Sequence, residues 1–465
     1  MSDAATRPQV IQMYAAREEI YPREAKGRYA RLRWACVWLT QLVFYGLPWL
    51  TWNGRQAILF DLGARKFYIF GLVLWPQDFI YLAVLLIIAA YLLFLVTAVA
   101  GRVWCGFACP QTVYTEIFMW IERRIEGARS ARIRLDRQPW GPDKLARKTA
   151  KHLAWGLVAL VTGFSFVGYF APIRSLFEQI AALALGPWEW FWIGFYAFAT
   201  YGNAGWMREQ VCKYMCPYAR FQSAMFDKDT LIVTYDVARG EPRGALKAGG
   251  AVDERKGDCI DCNVCVQVCP TGIDIRKGLQ YECIGCAACV DGCNGVMDKI
   301  GKPHGLVRYA TDNAVAQHWS PATIKARMLR PRVLIYSALL LLVVGAFGTA
   351  LALRTPLKLD VIRDRGSMGR EVGDGVIENV YRLQIMNTGE TAHTFRIAVR
   401  GIDTVRLASP AEATLDGATT RAVPVRVQAE RGAATAGSRQ FEFELVALDD
   451  PSLTVRERAV FLVPR

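Results

Sequence analysis

No cysteine follows residue 293. Whatever the rest of the chain folds into, no disulfide staples it, even where an oxidising compartment would allow one. Histidine is scarce: His152, His304, His318 and His393 are the whole set, and no two stand at ligand spacing. No C-x-x-C-H line marks a haem attachment, and no G-x-G-x-x-G follows a strand-like run, so the sequence offers no dinucleotide fingerprint. Charge is missing from whole stretches. Residues 79–100 and 333–353 carry none. A helix over the first would be about 33 Å long at about 1.5 Å per residue, enough for a hydrocarbon core of about 30 Å.

What is present is apolar and basic. Hydrophobic residues make up 53% of the 465, and the net charge is +14. Residues 34–52, 153–173 and 188–206 join the two charge-free runs as spans, which predicts five membrane helices. The shorter apolar piece 67–75, closed by Pro76-Gln77-Asp78, reads as interfacial or re-entrant. The first span follows about thirty polar residues with neither a short apolar core nor a cleavage site, so it is expected to stay as an anchor. Positive residues concentrate between alternate spans: seven Lys/Arg in 1–33 and eleven in 102–151, against three between 52 and 79 and only Arg174 between 173 and 188. Basic loops stay on the cytoplasmic side. The asymmetry predicts a cytoplasmic N-terminus, a cytoplasmic 207–332 segment and a periplasmic 354–465. It also accounts for the net charge without a nucleic-acid partner.

The expected organisation is a cytoplasmic arm over 1–33 and four spans over 34–206, arranged in two pairs. A cytoplasmic cysteine-rich insert over 207–332 follows, then a fifth span over 333–353 and an outer domain over 354–465. Ala248-Gly249-Gly250 reads as a connector into the insert. The outer domain alternates apolar and polar residues in VYRLQIMN from Val380, TFRIAVRG from Thr394, VPVRV from Val423, QFEFELVAL from Gln440 and LTVRERAVFLV from Leu453, with a turn at Asn387-Thr388-Gly389. Period-two alternation at this spacing predicts an antiparallel all-β domain of immunoglobulin-like size, without the Cys…Trp…Cys hallmark.

Twelve of the thirteen cysteines fall into patterns; Cys36 alone is solitary and reads as a small apolar side chain. CIDCNVCVQVCP begins at Cys259 and CIGCAACVDGC at Cys283. Each run is C-x2-C-x2-C-x3-C, the bacterial two-cluster ferredoxin spacing, in which the fourth cysteine of each run serves the other cluster. One [4Fe–4S] cluster is thus expected on Cys259, Cys262, Cys265 and Cys293, the other on Cys283, Cys286, Cys289 and Cys269. Zinc ribbons use paired C-x2-C with longer gaps and fit the spacing less well. Pro270 follows Cys269 as the pattern expects, whereas Asn294 stands where a second proline is usual. Two further lines, VWCGFACPQTVY from Val103 and QVCKYMCPYARF from Gln210, repeat C-x3-C-P past the inner end of a span. Helical spacing puts Cys105 with Cys109, and Cys212 with Cys216, on one face each, and Pro110 and Pro217 end or kink the helix there. Four thiols converging there would suit a soft metal; packing at helix ends is the plainer alternative. Met207, Met215 and Met225 lie near the second line and read as core or interfacial residues, with soft ligation as the functional alternative. Asp78, Glu116 and Glu209 stand near the membrane, with proton relay as the functional reading and a solvated interfacial role as the plain one.

Taken together, the two C-x3-C-P lines, the double cluster run, the last span and the outer β-domain resemble the CcoG/FixG/RdxA family of cbb3-type cytochrome oxidase accessory proteins. The resemblance implies a multi-pass protein of the bacterial inner membrane, with about five transmembrane helices, a 2[4Fe–4S] ferredoxin insert and an immunoglobulin-like sandwich. It implies an electron-transfer role in which Cu(II) is reduced to Cu(I) for oxidase assembly. Cys105, Cys109, Cys212 and Cys216 would then be the copper-binding, reactive site. The implied partners are a cytoplasmic electron donor, the bilayer, and oxidase subunits or copper chaperones. Two other readings stand beside it: a quinol-linked membrane ferredoxin feeding another reductase, and an assembly scaffold whose clusters only hold the fold.

Overall fold

In the computed structural model, the described residues are 19–245, 256–364, 366, 369–373, 375–402, 405–430 and 437–464. The start of the N-terminal arm and the Ala248-Gly249-Gly250 connector lie outside them. The chain divides into two units: residues 1–45, 89–166 and 186–340, and residues 46–88, 167–185 and 341–465.

Helices occupy all five apolar stretches. They are α1 (Arg28–Gly46), α2 (Phe79–Ala100), α6 (Pro142–Val167), α8 (Pro187–Tyr201) and a last helix Pro331–Ala352. Three are long and apolar enough to cross a membrane: Pro76–Ala100 with its lead-in turn, Pro142–Val167 and Pro331–Ala352. Ile80, Leu86, Leu341 and Leu342 are all exposed, so these side chains are left uncovered by the described residues. Helix α1 begins among Arg28, Arg31 and Arg33, and α8 passes into a π-helical stretch, Gly202–Met207.

In the first unit, the end of α2 leads into three short helices: α3 (Val103–Phe107), α4 (Pro110–Glu126) and α5 (Arg129–Arg137). Cys109 is extended (φ −61°, ψ 129°) and Pro110 opens α4, where a missing N–H costs nothing. The second C-x3-C-P line repeats this. A π-turn over Val211–Met215 ends at an extended Cys216, and Pro217 opens α9 (Pro217–Met225). Helices α6 and α8 meet through Gly163, where a Cβ would come within 2.4 Å of the Ile193 carbonyl oxygen. Trp155 stacks on Phe118 (ring centroids 5.2 Å apart) and donates to its carbonyl at 3.0 Å. The ferredoxin-like part lies between the antiparallel strands Ile232–Tyr235 and Val307–Ala310 in the chain. Its core gathers Val233, Tyr235, Ile275, Val290, Met297 and Leu306 around the cysteines.

The second unit corrects one expectation. Residues 67–75 are not a re-entrant apolar piece. Strands Ile58–Asp61, Lys66–Ile69 and Leu72–Leu74 form a three-stranded antiparallel sheet, followed later in the chain by α7 (Ile173–Ala181). Asp78 is not solvated either. It is buried, accepts from Arg354 at 2.7 Å, pairs with Lys358 and accepts from the Trp75 amide at 3.0 Å. The C-terminal residues form two antiparallel sheets. One is ordered Val405–Leu407, Thr419–Glu430, Val376–Asn387, Leu357–Arg363; the other Glu412–Leu415, His393–Arg400, Gly437–Ala447, Thr454–Val463. Tyr381, Phe395, Phe441, Phe443 and Phe461 fill the space between them. With no disulfide available, hydrogen bonds tie sheet to sheet: Tyr381 Oη donates to the Val460 carbonyl at 2.7 Å and Asn379 Nδ2 to the Leu462 carbonyl at 2.9 Å. Each contributes on the order of 1 kcal/mol.

Candidate functional site: two cysteine hollows and a helix-end thiol cluster

The two cysteine runs take the same backbone path. In CIDCNVC the residues after the first spacer position and after the second cysteine, Asp261 and Asn263, have φ of 51° and 57°. In CIGCAAC the equivalent Gly285 and Ala287 have φ of 66° and 56°. Alternating left-handed residues curl each loop so that its three cysteines face one hollow. Cys259, Cys262 and Cys265 face the first, and Cys293 from the opposite run completes it. Cys283, Cys286 and Cys289 face the second, completed by Cys269. Four thiols and an apolar wall around each hollow are the donor set of an iron–sulfur cube. Among the described residues, no three His, Cys, Asp or Glu side chains are grouped to hold a single ion. Asn294 also finds its reason. The helix Ala288–Lys299 runs through it, and its side chain accepts from the Gly305 amide at 3.1 Å. A proline there would break the helix.

The two loops are held differently. Arg276 clamps the first from within, donating to Asp261 at 2.5 Å, Asn263 at 2.6 Å and Asp274 at 2.8 Å. The second has no such side chains and is held from elsewhere. Arg33 at the start of α1 donates to the Cys286 carbonyl at 2.7 Å, Arg102 before α3 to the Cys283 carbonyl at 3.4 Å, and Tyr309 to the Gly285 carbonyl. Burial pushes the thiols up: Cys265 to about 11, Cys283 and Cys293 to about 12, with Cys286 and Cys289 also raised. Ligation has to drive off those protons.

Cys105, Cys109, Cys212 and Cys216 lie close enough to act on one another's charge where the two C-x3-C-P lines meet, although no three of them are grouped to hold a single ion. Burial first, and then the neighbouring thiols, push Cys105 up to about 11 and Cys212 to about 12. Cys109 is raised by burial and by Cys216. The Arg102 charge opposes the rise at Cys105 and Cys212. Cys105 Sγ lies 3.7 Å from the amide of the fully buried Gln222. The group abuts the second hollow. Cys105 and Cys212 pack on the cluster formed by Val268, Ile284, Cys286 and Ala288, as does Cys289. At Gly106 the approach is so close that a Cβ would stand 2.8 Å from the Cys286 Cα and amide nitrogen and the Gly285 carbonyl oxygen.

Arg33, Arg102, Gln222 and Gly106 are not legible as site residues from spacing alone. The glycine inside C-G-F-A-C and the arginine just before that line are the nearest thing to a signal. The histidines are scattered among separate partners: His152 with Tyr201 at 2.8 Å, His304 with Asp298 at 2.5 Å and His393 with Asp449 at 2.7 Å.

A 4Fe-4S dicluster domain matches residues 207–312, a 4Fe-4S binding domain residues 82–127, and the IG-like fold at the C-terminus of FixG residues 347–464. The nitrogen fixation protein FixG of Rhizobium meliloti (strain 1021) is 40% identical over 451 residues, 90% of this chain and 86% of that one. Protein RdxA of Cereibacter sphaeroides is 40% identical over 412 residues, 87% of each. The ferredoxin-type protein NapH of Haemophilus influenzae is 22% identical over 229 residues, 45% of this chain and 66% of its own.

Proposed function

The chain belongs to the FixG family of iron–sulfur electron-transfer proteins, and on that premise we propose that it reduces Cu(II) to Cu(I) for the assembly of a cbb3-type oxidase. Cys259, Cys262, Cys265 and Cys293 would hold one cube and Cys269, Cys283, Cys286 and Cys289 the other. When bound, each cube supplies a store for a single electron. The observation that carries the reading is the packing of Cys105 and Cys212 against the loop of Cys286 and Cys289. On this reading a soft-ligand site would stand in packing contact with the loop that holds an electron store.

The substrate step is a one-electron reduction. Cu(II) held at the helix-end thiols takes one electron and becomes Cu(I), with no proton in the balance. Thiolates favour the product, because Cu(I) is the softer ion. Arg102 steadies thiolate charge at this site and anchors the Cys283 carbonyl on the other. We place residues 19–33, 102–151 and 207–332 in the cytoplasm and 354–465 in the periplasm, on the distribution of Lys and Arg. A cytoplasmic-side donor would then load the cubes, and the outer sandwich is free to meet oxidase subunits or a copper chaperone. The quinol-linked alternative draws less support, since the ferredoxin-type protein NapH is 22% identical over less than half of the chain.

The test uses anaerobic protein reduced with dithionite and desalted. Cu(II) is added with a Cu(I)-specific chromogenic chelator, and the recovery of cluster absorbance is followed beside Cu(I) formation. The expected result is one Cu(I) per cluster electron in the wild type. Cys109→Ser/Cys216→Ser should retain its visible absorption and lose the reaction. Reduced clusters indifferent to Cu(II) would sink the proposal.

A further inference from the structure

A cavity of about 590 Å3 opens between the arm, the start of α1, α4 and the second cysteine loop. It reaches Cys286 at one wall and Cys212 at another, so it touches both centres of the proposed function. Trp34, Met119, Val268 and Ile284 give it apolar sides. Glu209 borders it, is 8% exposed, and has no hydrogen-bond or ion-pair partner among the described residues. A buried carboxylate without a partner is costly unless something else meets it. Its position is fixed through its neighbour. Arg208 holds φ 41° at the end of the π-helical stretch, with its guanidinium on the Gly205 carbonyl at 3.0 Å, on Glu122 at 3.3 Å and over the Trp155 ring. Such conformations persist where the surroundings enforce them, often at sites of function. Arg33 also lines the cavity, and its Nε is buried without a partner among the described residues.

We propose that this cavity binds the ring of a hydroquinone, the two-electron reductant that loads the clusters. The inference rests on the electron-transfer reading above and names its donor. Six Lys and Arg line the space against three Glu, so away from Cys212 the walls offer no acidic ligand set for a metal ion. A phosphate-bearing nucleotide is disfavoured by Glu209 and by the lack of a glycine-rich cradle. A neutral ring with two opposed hydroxyls suits apolar walls, one unpaired acceptor and a nearby guanidinium. Oxidation breaks two O–H bonds, forms two C=O bonds, and releases two electrons and two protons. The electrons pass on the Cys286 side to two one-electron acceptors, one for each cysteine set. Glu209 takes one proton, and Glu116, paired with Arg123 at 3.5 Å, takes the other. Arg208 and Glu209 also border a second, polar cleft with Glu122, Lys151 and His152, which gives the Glu209 proton a way out.

The test is made on detergent-solubilised holoprotein with decyl-ubiquinol and a tail-less analogue. Binding of the oxidised forms is measured by calorimetry, and an azido-quinone photolabel is mapped by mass spectrometry. Label is expected on 22–34 and 208–216. Glu209→Gln, and Ala30→Phe as a plug that leaves Glu209 in place, should each weaken binding tenfold or more while the clusters' visible absorption persists. Tighter binding of the tailed form assigns the donor to the membrane pool; equal binding assigns it to a soluble hydroquinone. Label elsewhere, or binding unchanged in both variants, overturns the proposal. If dithionite-reduced protein reduces Cu(II) but decyl-ubiquinol neither binds nor bleaches the clusters, the donor is wrong and the copper reading stands. If decyl-ubiquinol bleaches them and Cu(II) does not restore them, the reverse holds.

Discussion

Two residues decide how closely the thiol site and the second cysteine loop approach each other. Gly106 is one. The atoms a Cβ would strike at 2.8 Å are backbone, not the flexible end of a side chain. Gly106→Ala must therefore move the Cys286 loop, at a cost of about 1–3 kcal/mol. The expected outcome is a lower midpoint in thermal unfolding together with slower Cu(I) formation; an unchanged midpoint would show that the loop yields freely. Arg102 is the other. It is 5% exposed and reaches the Cys283 carbonyl at 3.4 Å while its charge acts on Cys105 and Cys212. A unit charge about 8 Å away at an effective dielectric near 20 is worth roughly 2 kcal/mol. Arg102→Gln should lower the reduction potential of one cluster by roughly 50–100 mV, read by a redox titration followed by electron paramagnetic resonance. Equal shifts in both clusters would place the charge wrongly. The cysteines at these sites were legible because ligand spacing is local in sequence. Arg102, Gln222 and Arg33 were not, because each acts across more than a hundred residues of chain.

At the scale of elements, alternation foretold the long strands of the C-terminal sandwich but not the short ones. Val405–Leu407 and Glu412–Leu415 have too few residues for a period to register. The strands Lys66–Ile69 and Leu72–Leu74 failed for another reason: a compact run of apolar residues reads alike as strand or as membrane contact. The tight turns at Phe70 and Gly71 were the available signal. Within the sandwich, two carboxylates are tied to arginines on one sheet or the other. Burial would raise Glu378, but hydrogen bonds from Gln428 and Arg370 outweigh it and hold the carboxyl below its usual range. Burial likewise opposes, and Arg456 and Arg400 overcome it, at Glu444. A carboxyl lowered in the folded state stabilises the fold above its unfolded value, about 4.3, and loses that contribution as pH falls through the folded one. Segment 354–465 should therefore hold a level midpoint from pH 7 to 5 and lose about 5 °C or more between pH 5 and 3, measured by circular dichroism. A midpoint that rises on acidification would contradict the assignment.

At the scale of the molecule, each of the five expected spans became a helix, although among the described residues three are long and apolar enough to cross a membrane on their own terms. Composition reveals apolarity, not where a helix breaks, and α8 gives way to π-helical turns that hydropathy does not register. Orientation is the part open to direct measurement. The C-terminal domain has no cysteine of its own, so Ser452→Cys gives a clean handle there. A membrane-impermeant maleimide should label it in intact spheroplasts, and a peptide tag inserted after Lys277 should be digested by added protease only after permeabilisation. The opposite pattern would invert the proposed topology.

The crossing of the two cysteine runs also bears on how the protein is made. Cys293 completes the hollow begun by Cys259, and Cys269 completes the one begun by Cys283. Neither loop owns a full set of ligands, so a chain that has received iron on one side has already committed the backbone of the other. Loading is then a threshold and not a gradient. A cell short of iron would hold two populations, fully charged and empty, with few chains in between, and its electron-transfer capacity through this protein would fall by the number of working copies and not by their quality.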